Sequence, residues 1–386
     1  MLRITEAQEY LQSHDLAGWL LYDYQKSNPV FWEFLGFSAH TTRPCFFYIP
    51  QAGDTVLLVH LVDAGRFSEL ELQAIPYLGR ADMQRKLGDI LQVGSNVAME
   101  YSTLSTLPSI STVDAGTFEL VKSLGVEISS SAGLIQHTIA RLDDEQLESH
   151  RQAAVKLGEI VHEAFELIGR RVGRVSEWDV REFIARRMRE EQLETDSGPA
   201  VAVNENSSDP HYEPTRQHSE KIRAGYWVLI DLWAKQKSER AIYADLTWVG
   251  YVGKKVPEMH QNAFEAVKEA RDGAVQFIKQ STENGTVLKG REIDEHARRI
   301  IAERDYGQFF IHRLGHSLGR SVHAYGVNLD SFETSDFREL VPGIAFTVEP
   351  GVYLPAFGVR SEIDVFMTPS GPVITSSVQD EVVLIL

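Results

Sequence analysis

Over roughly the first 135 positions, apolar residues gather into short blocks of strand length. Trp19-Leu20-Leu21-Tyr22, Cys45 to Ile49, Thr55 to His60 and Asn96 to Glu100 are such blocks, with the turn Gln51-Ala52-Gly53-Asp54 between the second and third. Ahead of them, Thr5 and Gln8 make a capping-box pattern before Tyr10 and Leu11, which predicts a short opening helix. From Asp143 the period changes. Leu147, Ala154, Leu157, Val161, Ala164, Phe165 and Ile168 recur at helical spacing with charged residues between them, which predicts a long amphipathic helix. A second helix begins at Ser176, an N-cap backed by Asp179 three residues on, and shows one apolar face at Val180, Phe183, Ile184 and Met188. Further helices are expected over Glu258 to Lys279 and Ile293 to Arg304, and strands over Trp227 to Trp233, Ile242 to Val249, Ala345 to Glu349 and Val359 to Phe366. The pattern reads as a small α/β domain over 1–135, a boundary near the polar stretch Ser129 to Gly133, and a larger α+β domain over 140–386.

Length agrees with two domains, since 386 residues exceed one ordinary core. With 38 basic against 55 acidic residues the net charge is −17, and no run of Lys or Arg is dense enough to track a phosphate backbone, which argues against nucleic acid as a partner. Cys45 is the only cysteine, so a disulfide framework is excluded; its apolar neighbours Phe46, Phe47 and Ile49 predict a buried thiol. No run reaches the length of a membrane span. The opening Met1-Leu2-Arg3-Ile4-Thr5-Glu6 lacks the basic start and apolar core of a leader, so the expected setting is the cytoplasm.

The C-terminal half carries the chemistry. Asp231 ends the apolar run Trp227 to Ile230, a costly place for a carboxylate unless a cation or donors meet it. Asp245 lies within a second strand pattern, on one face with Thr247; if the two strands pair, the two acids can converge. His312, His316 and His323 fall within twelve residues, with Gly315 and Gly319 permitting close backbone approach. His312 and His316 stand at i and i+4, but the glutamate of a His-Glu-x-x-His zinc helix is absent. Glu349 closes a strand before Pro350-Gly351, and Arg360, Glu362 and Asp364 alternate onto one face. Asp364 reads as a partner of Arg360 or an acid at a cavity rim. Taken singly, these residues have plainer readings: strand-end acids facing solvent, satisfied structural histidines, and, for His211, an exposed loop residue. As a set, four carboxylates (Asp231, Asp245, Glu349, Glu362) and one imidazole (His316) suit two divalent cations, whose four charges they cancel around a shared hydroxide. That points to metal-assisted hydrolysis.

In their order and local context, these residues resemble the M24 metallopeptidase family, which contains proline dipeptidases, aminopeptidase P and methionine aminopeptidases. The resemblance runs from about Leu142 onward. It is carried by Leu229-Ile230-Asp231, Ala244-Asp245-Leu246-Thr247, His312-x-x-Gly315-His316-x-x-Gly319, Thr347-Val348-Glu349-Pro350-Gly351 and Val359-Arg360-Ser361-Glu362. It implies a pita-bread catalytic domain. Asp231 would be a bidentate ligand of one metal, Asp245 and Glu362 would bridge both, and His316 and Glu349 would bind the second, with Glu349 also taking a proton from the attacking water. His211 and His323 match substrate-side histidines that assist charge and proton movement, and His312 and Arg360 match positions that shape the proline-side pocket. The N-terminal domain resembles the one shared with creatinase, which favours the Xaa-Pro dipeptidase and aminopeptidase P branch and a homodimer. Creatinase works without metal and has lost the ligands, whereas here all five stand.

The sequence departs from the family pattern at three places. Asp245 follows Asp231 by 14 positions, with Lys235 to Arg240 extending the hairpin; the stretch from His211 to Asp231 is long; and Ser361 replaces an apolar residue. None removes a ligand. The expected activity is hydrolysis of Xaa-Pro bonds in short proline-containing peptides. Carboxylate-rich ligation favours Mn²⁺, with Co²⁺ or Zn²⁺ also admissible. The rival readings are another amide or ester hydrolase in the same cage and a non-catalytic peptide-binding relative.

Overall fold

A computed structural model describes residues 3–70 and 72–385, so Met1 and Leu2 of the opening segment lie outside the described residues. The chain divides after Ile139 into two units. In the first, the predicted blocks become a six-stranded sheet in the order β4-β3-β2-β1-β5-β6. Its strands are β1 (Gly18–Asp23), β2 (Cys45–Pro50), β3 (Val56–His60), β4 (Gln73–Tyr77), β5 (Asn96–Met99) and β6 (Glu127–Ser130). β1, β2 and β3 pair antiparallel, and β4, β5 and β6 join in parallel. Helices α1 (Ile4–Ser13), α2 (Pro29–Leu35), α3 (Leu61–Ala64), α4 (Arg80–Ile90), α5 (Ala115–Ser123) and α6 (Ala132–Ile135) complete the unit. Cys45 is fully buried, and burial pushes its thiol up to about 12, so it is an inert core residue. The capping box expected at Thr5 is not made. The helix begins at Ile4, placing Thr5 inside the first turn, and Arg3 at the N-cap offers no side-chain cap. The polar stretch Ser129 to Gly133 forms the end of β6 and the start of α6.

The second unit holds the long helices α7 (Asp144–Arg170), α8 (Glu177–Glu190), α9 (Glu258–Glu283) and α10 (Gly290–Glu303). The N-cap read at Ser176 is present as a full capping box with Asp179, and the structure adds a second at Asp143 with Gln146, each stabilising its helix by about 1 kcal/mol. The five-stranded sheet of this unit pairs β9 (Trp227–Gln236) antiparallel with β10 (Ala244–Tyr251), flanked by β7 (Leu193–Glu194), β8 (Ala200–Val203) and β17 (Val383–Leu384). A four-stranded sheet orders β11 (Ser317–Leu318), β12 (Ala345–Val348), β15 (Ile363–Thr368) and β16 (Gly371–Ile374), and β13 (Gly351–Leu354) pairs with β14 (Phe357–Arg360). The single strand expected over Val359 to Phe366 is therefore two strands in different sheets. The break falls at Ser361-Glu362, where the Ser361 hydroxyl is bound by Arg271 and the Glu362 amide donates to the Thr247 carbonyl instead of to a ladder partner.

Strand alternation assigns β9 to two cores. Trp227 and Leu229 enter the core built on α9 and α10, while Val228, Ile230 and Leu232 enter the core built on α7 and α8. Asp231 continues the first of these faces, and on β10 so do Asp245 and Thr247, beyond Val249 of the same core. One face of one hairpin thus changes from hydrocarbon to acid along its length. No helix among the described residues is long and apolar enough to cross a membrane.

Candidate active site

At the acidic end of that face lies a cavity of about 390 Å³. Asp231, Asp245, His316, Glu349, Glu362, His211, His312, His323 and Arg360 all line it. In the hairpin register Thr247 stands opposite Asp231 and Asp245 opposite Trp233, so the two acids are diagonal neighbours on one face. The extension over Lys235 to Arg240 carries β9 to Gln236 and then turns through residues 237–243.

The tightest group is Asp245, His316 and Glu362, whose ligand atoms lie within 4.8 Å of one another. His316 Nε2 stands 3.7 Å from Asp245 and 3.4 Å from Glu349, while its Nδ1 faces the Ser317 carbonyl at 3.3 Å. An Nδ1–H donated to that carbonyl leaves the Nε2 lone pair aimed at the acids. Burial, with the charges of His323 and Arg313 adding to it, keeps the imidazole neutral well below its usual range. Asp245 Oδ1 and Glu362 Oε1 are buried and have no hydrogen-bond partner among the described residues. Burial first, and the neighbouring carboxylates second, hold both acids well above the carboxylate range. Glu349 is pushed up to about 7 by burial, against the charges of Arg360 and Arg313. Orphaned acid oxygens crowded around a neutral imidazole lone pair fit a divalent cation, whose charge would reverse those acid shifts.

Asp231 is engaged differently. One of its oxygens meets Arg360, and the other lies 3.0 Å from the Thr247 hydroxyl, which also stands 2.7 Å from Glu362. That hydroxyl has one proton and accepts from Arg360 Nε at 2.9 Å, so it can satisfy only one of the two acids at a time. Arg360 donates with its remaining nitrogen to the Tyr353 hydroxyl at 3.0 Å, and Tyr353 lies 2.9 Å from His312 Nε2. His312 Nδ1 faces the Arg313 carbonyl at 2.7 Å, so the chain of donors runs from Arg360 through Tyr353 to His312. Burial holds His312 neutral at about 3 and pushes Tyr353 up to about 12. His323 packs edge-on against His316 with ring centroids 4.4 Å apart, and His211 sits exposed at the rim.

Close backbone approach explains the glycines. A Cβ on Gly315 would lie 2.0 Å from the Thr347 carbonyl oxygen, and one on Gly319 would lie 2.7 Å from the Ala324 Cβ. The segment around His312 and His316 is a loop, so their i, i+4 spacing has no helical meaning. It is zipped to β12 by the His316 amide donating to Thr347 Oγ1 and the Glu349 amide donating to the Leu314 carbonyl. Behind it on α10, Asp294 accepts from the Leu314 amide and Arg298 donates to the Phe310 carbonyl.

Asp364 corrects the sequence reading. It neither pairs with Arg360 nor lies at the rim; it is fully buried behind Asp245 and accepts that residue's backbone N–H at 3.1 Å, with His150 Nε2 at 3.9 Å. The break after Arg360 turns it away from the cavity. Sequence reasoning also passed over Tyr353, which extended-chain alternation from Glu349 could have placed on the same side, and His150, for which no local signal exists.

The model of metallopeptidase family M24 matches residues 148–369. The chain belongs to metallopeptidase family M24. The M24 pita-bread fold accounts for the second unit. An uncharacterized peptidase of Staphylococcus aureus is 34% identical over 176 residues, which are 44% of this chain and 44% of that protein, so the match spans less than half of either. Among solved structures, the dipeptidase PepE of Mycobacterium ulcerans has a TM-score of 0.77 at 20% identity, covering 99% of this chain and 97% of that one. The prolidase of Thermococcus sibiricus has a TM-score of 0.69 at 25% identity, covering 99% and 98%. Both likenesses include the N-terminal unit as well as the M24 domain.

Proposed function

We propose that this M24 peptidase hydrolyses Xaa-Pro bonds in short peptides with a pair of divalent cations. The observation that carries the reading is the gathering of Asp231, Asp245, His316, Glu349 and Glu362 on one cavity, with buried acid oxygens that lack any donor. The prolidase likeness supports proline as the residue after the scissile bond. Asp245 and Glu362 would bridge the cations, with Asp231 on one and His316 and Glu349 on the other. Bound there, the cations would supply Lewis acidity, polarising a carbonyl and making water nucleophilic near neutral pH.

The chain's own residues would do the rest. A bond before proline has a nitrogen without N–H, so it offers nothing to enzymes that read a hydrogen-bonded extended backbone, and its leaving nitrogen must gain a proton. Glu349 would accept a proton from water and pass it on. His323, neutral and packed on His316, and His211 at the rim flank the space in which charge develops. Asp364 holds the Asp245 backbone, and the Arg360–Tyr353–His312 chain forms a rigid wall on the proline side. Mn²⁺ is the cation that best suits this oxygen-rich set. A homodimer and a cytoplasmic setting complete the reading.

The test is a panel of Xaa-Pro, Xaa-Pro-Yaa and proline-free dipeptides after chelation and reloading with Mn²⁺, Co²⁺ or Zn²⁺. Cleavage confined to Xaa-Pro substrates and dependent on reloading is expected. Turnover of another ester or amide with no Xaa-Pro cleavage would replace the reading with a different hydrolase. Failure to retain any metal would replace it with a peptide-binding protein.

A further inference from the structure

The extension of the hairpin over Lys235 to Arg240 is a departure from the family pattern to which the proposed reaction gives no role. Alternation along β9 puts Lys235 on the face of Asp231 and Trp233, beyond the cavity acids. Its side chain is only 15% exposed, which a lysine accepts only where its ammonium is met. Nζ donates to the Arg320 carbonyl at 3.0 Å and stands 5.4 Å from the centre of the Tyr243 ring, with Glu194 3.9 Å away. A second bond runs in the opposite direction, from Arg320 Nε to the Glu239 carbonyl in the turn of the extension, at 2.8 Å. Beside them the Tyr243 amide donates to the Gly319 carbonyl at 2.9 Å. Gly319 and Arg320 are thus fastened to the hairpin through both of their carbonyls and one guanidinium.

Tyr243 is itself held fast. Its hydroxyl meets Asp196, and its carbonyl lies 2.7 Å from Nδ1 of His150, which is fully buried on α7. Val322, two residues on from Arg320, packs with Trp233 against the buried Tyr243 and Leu318. His323 comes next. Among the described residues its ring makes no hydrogen bond; it is placed by its edge-on contact with His316 and by the backbone that leads to it. That backbone is irregular over 319–323, and among the described residues Lys235 is the one side chain that hydrogen-bonds it.

We propose that Lys235 is a positioning residue for His323: with Arg320 and Tyr243 it makes the hairpin extension a brace that fixes the loop carrying that imidazole. The inference rests on the Xaa-Pro reading in taking His323 as a group that assists charge and proton movement. An imidazole with no anchor of its own needs a fixed backbone to stay within reach of the reacting atoms, and a displacement of about 1 Å can cost on the order of 100-fold in rate. Lys235 is not among the residues that line the cavity, so its loss should act on turnover and leave substrate affinity alone.

The experiment is a double-mutant cycle on the manganese-loaded full chain with Ala-Pro as substrate. It compares wild type, Lys235→Met, Lys235→Arg, His323→Ala and the double variant Lys235→Met with His323→Ala. Lys235→Met is expected to lower kcat by roughly 10- to 100-fold, with KM within about twofold of wild type. Lys235→Arg, which keeps a donor for the Arg320 carbonyl, restores most of the loss. In the His323→Ala background Lys235→Met has no further effect, because the group it positions is gone. Equal losses in both backgrounds overturn the proposal and make Lys235 a general support of the fold. A raised KM with unchanged kcat overturns it too, since Lys235 would then act on the substrate. Amide hydrogen exchange, read by mass spectrometry on the same loaded proteins, follows the brace without catalysis. The Gly319 and Ala324 amides are bonded within the loop, so exchange over 319–324 should quicken in Lys235→Met and stay slow in Lys235→Arg. Unchanged exchange there overturns the proposal. If exchange quickens but no Xaa-Pro peptide is cleaved, the Xaa-Pro reading fails and the brace stands, and the cycle is run on the ester or amide that is turned over. If Xaa-Pro peptides are cleaved and the cycle is additive, the reverse holds.

Discussion

Glu100 in the N-terminal unit and the pair Asp245 and Glu362 in the M24 unit are carboxylates equally withdrawn from water, and their surroundings could hardly differ more. Glu100 accepts from Trp19 Nε1 at 2.6 Å, Asn28 Nδ2 at 2.7 Å and Ser131 Oγ at 3.0 Å. Asp245 and Glu362 each keep a buried oxygen with no donor, and each faces other acids. Burying a carboxylate costs several kcal/mol in either place. In the first the protein offsets that cost with its own donors, so the acid is a structural cross-link. In the second it does not, and a group from outside must. Burial alone therefore does not distinguish a structural acid from a ligand; the state of its oxygens does.

The largest effect is expected on the unsatisfied side. Asp245→Asn and Glu362→Gln should lower kcat/KM by roughly 10³-fold or more, because in the proposed site each would serve both cations. After chelation, the same variants should be more stable than wild type by about 1–2 kcal/mol, as each relieves like-charge crowding. Denaturant melts with and without Mn²⁺ measure both states. A metal-free Asp245→Asn that is less stable than metal-free wild type would erase the distinction between the two regions.

Glu100→Ala should act with the opposite sign, destabilising the protein by about 3–5 kcal/mol because it strands three buried donors. Bound metal per chain, measured by elemental analysis, should stay at the wild-type value. A drop in metal content would mean that Glu100 is not the purely structural acid its partners describe.

Glu100 also carries a smaller, pH-dependent effect. Burial raises its carboxyl from 4.5 to about 7, against the pull of Trp19, Asn28 and Ser131. Between those values the folded state holds a proton that the unfolded state has lost. The associated stability is thus fully present below pH 4.5, falls as pH rises through about 7, and amounts to at most about 3 kcal/mol. Glu100→Gln should flatten this part of the stability profile, as followed by urea melts across that window. A slope identical in wild type and variant would assign the pH dependence to other groups.

Much of this was legible in the order of residues. Helix periodicity marked α7 and α8, and a capping box marked the start of α8, because an apolar face and a cap are local properties. The acids of the cavity were legible because each ends or interrupts an apolar strand, where a carboxylate needs a cation or donors, and because five short motifs stand in a specific order. Local reasoning failed where neighbours are distant in sequence. The run from Val359 to Phe366 looks like one strand until Arg271 and Thr247, roughly a hundred residues away, take up Ser361 and the Glu362 amide.

What the sequence determined by itself is thus the set of residue types able to hold divalent cations and the elements that carry them, since both depend on spacing along the chain. Which oxygens are left without donors, that Arg360 is bound to Asp231, and that Asp364 supports Asp245 from behind were decided by the tertiary structure. Hydrogen bonds are claimed by whichever partner strand register and loop packing bring within about 3 Å, and alternation along one strand cannot say which partner arrives.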